Sequence, residues 1–311
     1  MTGNEFDTIY KLYLRALPSM KKSALTVSHY ELILRRFAQF VKDEPNITAL
    51  TVVEWREALF DDVACNTIIN YMTTLHTFFQ WAYRKKFIEE NPVQPEDFPQ
   101  PERIKYDLLT HNEIKLLLSK RPMSMNKKTG CRNRAIVVLL VQTGMRNSEL
   151  RALRLSDLDF TNSTITIEHG KGDKKRKVPF PALAQTAVKE YLDDGFRPKA
   201  LSDDDFLFGT DADSSGHSTG GKVWKPLSAV ALQGMIRVYV ERTTGHEGGV
   251  KVHALRHAYA SLCDEMGVSL RDVQNSLGHS SLATTEHIYV TVLDKNKSAV
   301  NINKAFDGVF A

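Results

Sequence analysis

Apolar residues recur at helical spacing from Glu5 to Phe87, as in Leu32, Ile33, Phe37, Phe40 and Val41, and predict about four helices with no competing strand pattern. The last spans Asn66 to Phe87, with Ile69, Leu75, Phe78, Phe79, Ala82 and Tyr83 on its apolar side and Arg84, Lys85 and Lys86 near its end. In the segment EENPVQPEDFPQPERIKYDLLT, Pro92, Pro95, Pro99 and Pro101 remove backbone donors and fix φ, which predicts an extended, semi-rigid connector. The reading is a helical N-terminal domain over 1–91, a linker over 92–107 and a second domain over 108–311. Thr110 with Glu113 three residues later forms a capping box that starts the second domain's first helix.

Further on, RNRAIVVLLVQTGMRNSELRALRLSDLDF predicts a buried apolar helix that stops at Gly144, restarts at Ser148 and Glu149, and turns near Asp157. STITIEHGKGDKKRKVPF alternates apolar and polar residues on both sides of a Gly-rich turn, the pattern of a β-hairpin. Helices resume near Pro181. GTDADSSGHSTGGK, rich in Gly, Ser and Asp, reads as a loop, and everything from Ser228 onward reads as helix. The fold class is therefore mainly α with a small β-sheet or hairpin, a helical domain followed by a mixed α+β domain.

A chain of 311 residues exceeds what one core usually organises, which agrees with two domains. The 42% hydrophobic and 25% charged content is ordinary for a globular protein. Lys+Arg of 41 against Asp+Glu of 37 leaves +4, so the distribution of charge matters more than its total. Cys65, Cys131 and Cys263 are far apart and lack metal-ligand spacing, which argues against disulfides or zinc and for a reducing cytosol. The first residues lack a signal peptide's order and no apolar run approaches membrane-spanning length, so no membrane partner is expected.

Four stretches carry candidate chemistry. In TGMRNSEL, Arg146 follows a Gly break and precedes a helix, a place that favours anions; its alternative is a solvated Arg paired with Glu149. In GKGDKKRKVP, Lys171 sits at the hairpin turn, followed by Lys174, Lys175, Arg176 and Lys177. That block is either a solvated loop or a cationic tip for a nucleic-acid groove. In VHALRHAYASL, His253 and Arg256 fall on one helix face, with His257 turned elsewhere. In LGHSSLATTEHIYV, His279 follows a Gly that ends a helix, and Tyr289 comes ten residues later.

The order of these elements resembles the tyrosine recombinase, or phage integrase, family over nearly the whole length: Arg, Glu three later, Lys in a Gly-Lys-Gly turn, His-x-x-Arg, Leu-Gly-His, then Tyr. The helix TTLHTFFQWAYRKKFIEENP is similar to the last helix of that family's DNA-gripping N-terminal domain. The resemblance implies a core-binding domain plus a catalytic domain, and a site-specific recombinase that breaks and rejoins DNA through a 3′-phosphotyrosine intermediate. Arg146 matches the first catalytic Arg, Glu149 its supporting acid, Lys171 the hairpin lysine that protonates the leaving oxygen, His253 and Arg256 the His-x-x-Arg pair, His279 the second His, and Tyr289 the nucleophile. Lys174, Lys175, Arg176, Lys177, Arg84, Lys85 and Lys86 are expected to contact DNA.

From His279 to Tyr289 the chain has one residue more than the family's usual spacing, and TTEHIY holds the extra one, His287 being part of it. No Tyr follows position 289, so Tyr289 stands as the nucleophile. The implied partners are double-stranded DNA with inverted-repeat core sites and three further copies of the chain on two duplexes. The protein is then a monomer off DNA, assisted by accessory DNA-bending proteins, and works on the nucleoid. No cofactor or metal is expected. The alternatives are a type IB topoisomerase-like nicking-closing enzyme and a catalytically degenerate DNA-binding module. In the tail, Ile302, Phe306, Val309 and Phe310 form an apolar stripe that packs either on its own domain or, as the resemblance implies, on a neighbouring subunit.

Overall fold

The computed structural model describes residues 1–102, 108–119, 129–168, 175–213 and 222–278. The chain divides into two compact units, Met1–Lys105 and Tyr106–Ala311.

The first unit contains α1 (Gly3–Ala16), α2 (Ala24–Phe40), α3 (Ala49–Leu59) and α4 (Cys65–Arg84). Side-chain oxygens of Thr2, Ser23 and Thr48 accept from backbone N–H groups at the starts of α1, α2 and α3 and fix where each begins. The helices close on an aromatic core in which Phe6 meets Phe37 at 4.9 Å between ring centroids and Phe37 meets Trp55 at 5.0 Å.

The inward seam of α2 is Ile33, Leu34, Phe37 and Val41, while Leu32 is 51% exposed and Phe40 42% exposed. At 3.6 residues per turn Leu32 lies about 150° from the centre of that seam, so the expected stripe was rotated. Helix α4 buries Ile68, Met72, Leu75, Phe78, Phe79 and Ala82. It stops three residues before Phe87 and leaves Ile69 half-buried and Tyr83 exposed. Lys86, at φ 61°, takes the left-handed conformation that turns the chain away.

The Pro-rich stretch lies against this unit as far as it is described. Val93 and Asp97 are buried, Arg56 donates to the Asp97 carbonyl at 2.9 Å, and Asn66 Nδ2 donates to the Glu102 carbonyl at 3.0 Å. The expected extended course is interrupted by a 3-10 turn at Pro95–Asp97, where the Gln94 N–H donates to the Asp97 carboxylate at 2.7 Å, and α3 and α4 supply partners for carbonyls that remain free.

The second unit is built around α6 (Gly130–Thr143), whose residues Ile136 to Val141 are all buried. A helix apolar on every side needs neighbours on every side. They are α5 (His111–Ser119), α8 (Ala182–Asp193), α9 (Ala229–Thr244) and α10 (Val252–Glu265). Thr110 and Glu113 exchange the bonds of a capping box at the start of α5. After Gly144 come α7 (Asn147–Ala152) and a three-stranded antiparallel sheet of β1 (Leu158–Asp159), β2 (Thr164–Ile167) and β3 (Arg176–Pro179), with Ile165 opposite Val178 and Ile167 opposite Arg176.

The segment expected as a loop begins with a strand, β4 (Gly209–Asp213), and its last residue opens another, β5 (Lys222–Pro226), the two paired antiparallel from Gly209 opposite Pro226 to Asp213 opposite Lys222. Gly and Asp are poor strand formers, and a tertiary contact prevails: Trp224 packs over Gly209, where a Cβ would meet the indole at 2.5 Å, and donates Nε1 to the Phe206 carbonyl at 2.9 Å. Helix α11 (Leu270–Leu277) follows α10 and ends at Gly278, φ 62°. No described helix is long and apolar enough to cross a membrane.

Candidate active site

Arg146 is the cap residue of α7, with extended backbone (φ −75°, ψ 156°). Its backbone N–H donates to Glu149 Oε2 at 2.7 Å and its guanidinium to Oε1 at 2.8 Å, so one turn of helix positions both residues. A second nitrogen of that guanidinium donates to the Gly278 carbonyl at 2.9 Å. Glu149 is nearly inaccessible, its side chain 1% exposed. Burial alone raises such a carboxyl, but the hydrogen bonds from Arg176 and Arg146 outweigh it and hold the pKa at about 2.

His253 and Arg256 stand on α10 three residues apart. Arg256 is buried and donates to the carbonyls of Gly144 and Leu277, so it ties the α6–α7 break to the end of α11. Burial, then the charge of Arg146, pushes it down to about 9, which leaves it protonated at neutral pH. His253 faces solvent, yet desolvation by the surrounding protein and the charges of Arg256 and Arg146 lower its pKa below the ordinary value. It is therefore neutral near pH 7 and can donate from one ring nitrogen while accepting at the other. His257 is buried behind it, the two rings 5.0 Å apart and nearly perpendicular.

Arg146, His253 and Arg256 share a cleft of about 530 Å³. Also lining it are Asn147, Ser148, Arg151, Gln233 and Lys251, none of them a candidate for chemistry from the sequence. Among the described residues that line it, four are cations (Arg146, Arg151, Lys251, Arg256) and none is a carboxylate. Such a concavity binds anions, and two guanidiniums with a neutral imidazole suit a phosphodiester's nonbridging oxygens. Arg151 lay hidden in the polar face of a short helix, whereas Lys251 adjoins His253 closely enough that the helix cap would have pointed to it.

Arg176 requires a correction. The run of cations predicts a DNA contact there, but the side chain turns inward and donates to both oxygens of Glu149 at 2.8 Å each and to the Ser276 carbonyl at 3.0 Å. Strand alternation gives the reason, because Arg176 shares its face with buried Val178 while Lys175 and Lys177 point outward. Lys175 pairs with Glu168 at 2.6 Å, and Arg84, Lys85 and Lys86 are exposed at the end of α4. Lys171, Lys174, His279, His287, Tyr289 and the tail stripe lie outside the described residues.

Residues 107–296 match the model of the phage integrase family, and residues 10–86 that of the phage integrase N-terminal SAM-like domain. The chain belongs to the phage integrase family, the tyrosine-type site-specific DNA recombinases. Among its relatives is the tyrosine recombinase XerC of Oceanobacillus iheyensis, 30% identical over 279 residues, which are 87% of this chain and 86% of that one. XerC of Bacillus subtilis strain 168 is 33% identical over 241 residues, 76% of this chain and 73% of its own. The fold is similar to that of the Tn1549 transposon integrase in complex with transposon right end DNA, with TM-score 0.75 and 22% identity over 98% of this chain and 99% of that one. It is also similar to a lambda integrase dimer bound to a core site, with TM-score 0.70 and 17% identity over 93% and 95% of the two chains. These relatives favour recombination over the topoisomerase-like alternative.

Proposed function

We propose that the chain cuts and rejoins duplex DNA at inverted-repeat core sites with Tyr289 as nucleophile. The observation that carries the reading is the cleft in which Arg146, Arg256 and His253 converge, with no carboxylate among the described residues that line it. A phenol of ordinary pKa about 10 attacks an anionic diester poorly, so fixed positive charge must offset both defects. Arg146 and Arg256 hold the nonbridging oxygens and stabilise the added charge of the pentacoordinate transition state, with His253 and His279 completing the hydrogen bonds. The Tyr289 oxygen gives its proton to the neutral His253 imidazole and bonds to phosphorus as the bond to the 5′ oxygen breaks, and Lys171 donates a proton to that oxygen. The 3′-phosphotyrosine bond conserves the energy of the broken ester, so a 5′ hydroxyl from another strand reverses the step without ATP.

The first unit, with Arg84, Lys85 and Lys86 exposed at one helix end, grips the duplex by phosphate neutralisation. Four protomers assemble on two duplexes, each a monomer off DNA, with accessory DNA-bending proteins bringing the sites together on the nucleoid.

Lys171 is tested by its leaving group. Lys171→Ala is expected to slow cleavage of ordinary DNA about a hundredfold or more, yet to cleave DNA with a 5′-bridging sulfur, which departs without a proton, at nearly the wild-type rate. Equal slowing on both substrates would reassign Lys171 to phosphate binding.

A further inference from the structure

Three consecutive carbonyls at the end of α11 each receive one guanidinium: Ser276 from Arg176, Leu277 from Arg256 and Gly278 from Arg146. The same three arginines surround Glu149, two of them bonded to it and the third interacting through its charge. A helix C-terminus carries partial negative charge and unpaired carbonyls, so cations there are favourable. Tyr259 adds a hydroxyl hydrogen bond to Ser276 Oγ at 2.8 Å, and Val273 and Leu277 are fully buried beneath α10. The first residue beyond this joint is His279.

We infer that Arg176 is a positioning residue for the cleavage reaction: through Glu149 it aims Arg146 into the cleft, and through Ser276 it fixes the point from which the chain departs toward His279 and Tyr289. This rests on the reading of Tyr289 and the two arginines given above. Arg176 does not line the cleft and its side chain is only 14% exposed, so it acts on the phosphate through other groups. Its bidentate fork spans both Glu149 oxygens and leaves Nε for Ser276, an arrangement one Lys ammonium cannot reproduce. Gly278 faces the same guanidinium, and a Cβ there would meet Arg176 Nε at 3.1 Å.

The groups facing Glu149 are Arg146 from α7, Arg176 from β3 and Arg256 from α10, with Arg154, Asp157 and Glu168 around the pocket on its other side. Without Arg176 the burial of Glu149 is opposed by fewer donors and its pKa rises. Protonating Glu149 then loosens Arg146, so the variant's rate falls as pH drops through the raised value. In the wild type Glu149 stays ionised over the whole neutral range.

The experiment compares wild type, Arg176→Ala, Arg176→Lys, Glu149→Gln and the Arg176→Ala, Glu149→Gln double variant of the full chain. Rates of covalent adduct formation on a nicked duplex are measured from acid to neutral pH, and binding to the same duplex is measured across salt. Arg176→Ala is expected to cut the rate about a hundredfold, with a new acid limb that Glu149→Gln abolishes. The double variant should be no slower than the worse single one, and the salt slope of binding should not change. Arg176→Lys should be intermediate and keep a weaker acid limb; it carries the test if the Ala variant does not fold. A slope reduced by about 0.9, the value of one phosphate contact, with no acid limb would make Arg176 a DNA contact and overturn the inference. Additive losses in the double variant would overturn it as well. A wild type that forms no adduct would instead defeat the function proposed above.

Discussion

Arg256→Ala is expected to reduce covalent adduct formation by about 10²–10³-fold, the typical loss when one preorganised charge donor is removed from a transition-state site. The substitution does more than remove charge, because Arg256 donates to the carbonyls of Gly144 and Leu277 from a buried position. Each buried carbonyl left unpaired costs about 1–3 kcal/mol, so a lower Tm should accompany the loss of rate. Arg256→Lys keeps the charge and not the fork, and should recover Tm more than rate. Single-turnover cleavage with saturating protein, read beside thermal melting, separates the two effects. An Ala variant that cleaves at the wild-type rate would remove Arg256 from the chemistry.

Gly144→Ala is expected to be the most destabilising single-methyl change near the site. Gly144 adopts φ +60°, and its Cβ would stand 2.5 Å from the Tyr259 ring and 2.6 Å from Leu277 Cδ2. Left-handed backbone costs about 1–2 kcal/mol in a residue with a Cβ, and overpacking a well-filled core costs about 1–3 kcal/mol more. In a unit of this size the sum corresponds to a fall in Tm of roughly 4–20 °C. The wedge also separates α10 from α11 and shifts the carbonyl that Arg256 uses, so activity should fall at temperatures where the variant remains folded. A variant with unchanged Tm would mean that Tyr259 and Leu277 yield without cost.

The described part of this site is legible in the sequence because local grammar places its residues. Arg146 and Glu149 share one helical turn after a Gly break, and His253 and Arg256 share one face of α10. Arg176 departs from the sequence expectation because a run of cations reads as an exposed tip, while the alternation of β3, with Val178 buried, assigns it to the inner face. The strands β4 and β5 were missed for the opposite reason: their pairing depends on Trp224 covering Gly209, a contact that no local propensity announces. The rotation of the α2 seam has the same origin, since Leu32 is as apolar as Leu34 and only packing against α1 and α4 tells them apart. The Pro-rich stretch has the composition of a free connector, and its attachment relies on Arg56 and Asn66, far from it in sequence.

If Tyr289 is the nucleophile, this chain becomes covalently joined to DNA through it. The measurement is a nicked suicide duplex carrying the core site, from which the short strand diffuses away after cleavage and traps the protein on the 3′ phosphate. Proteolysis of the trapped species and mass spectrometry of the nucleotide-bearing peptide then identify the linked residue. The wild type should yield an adduct mapped to Tyr289, and Tyr289→Phe should yield none while binding the same duplex with unchanged affinity. An adduct formed by Tyr289→Phe, a link at any other residue, or no adduct from the wild type would contradict the account.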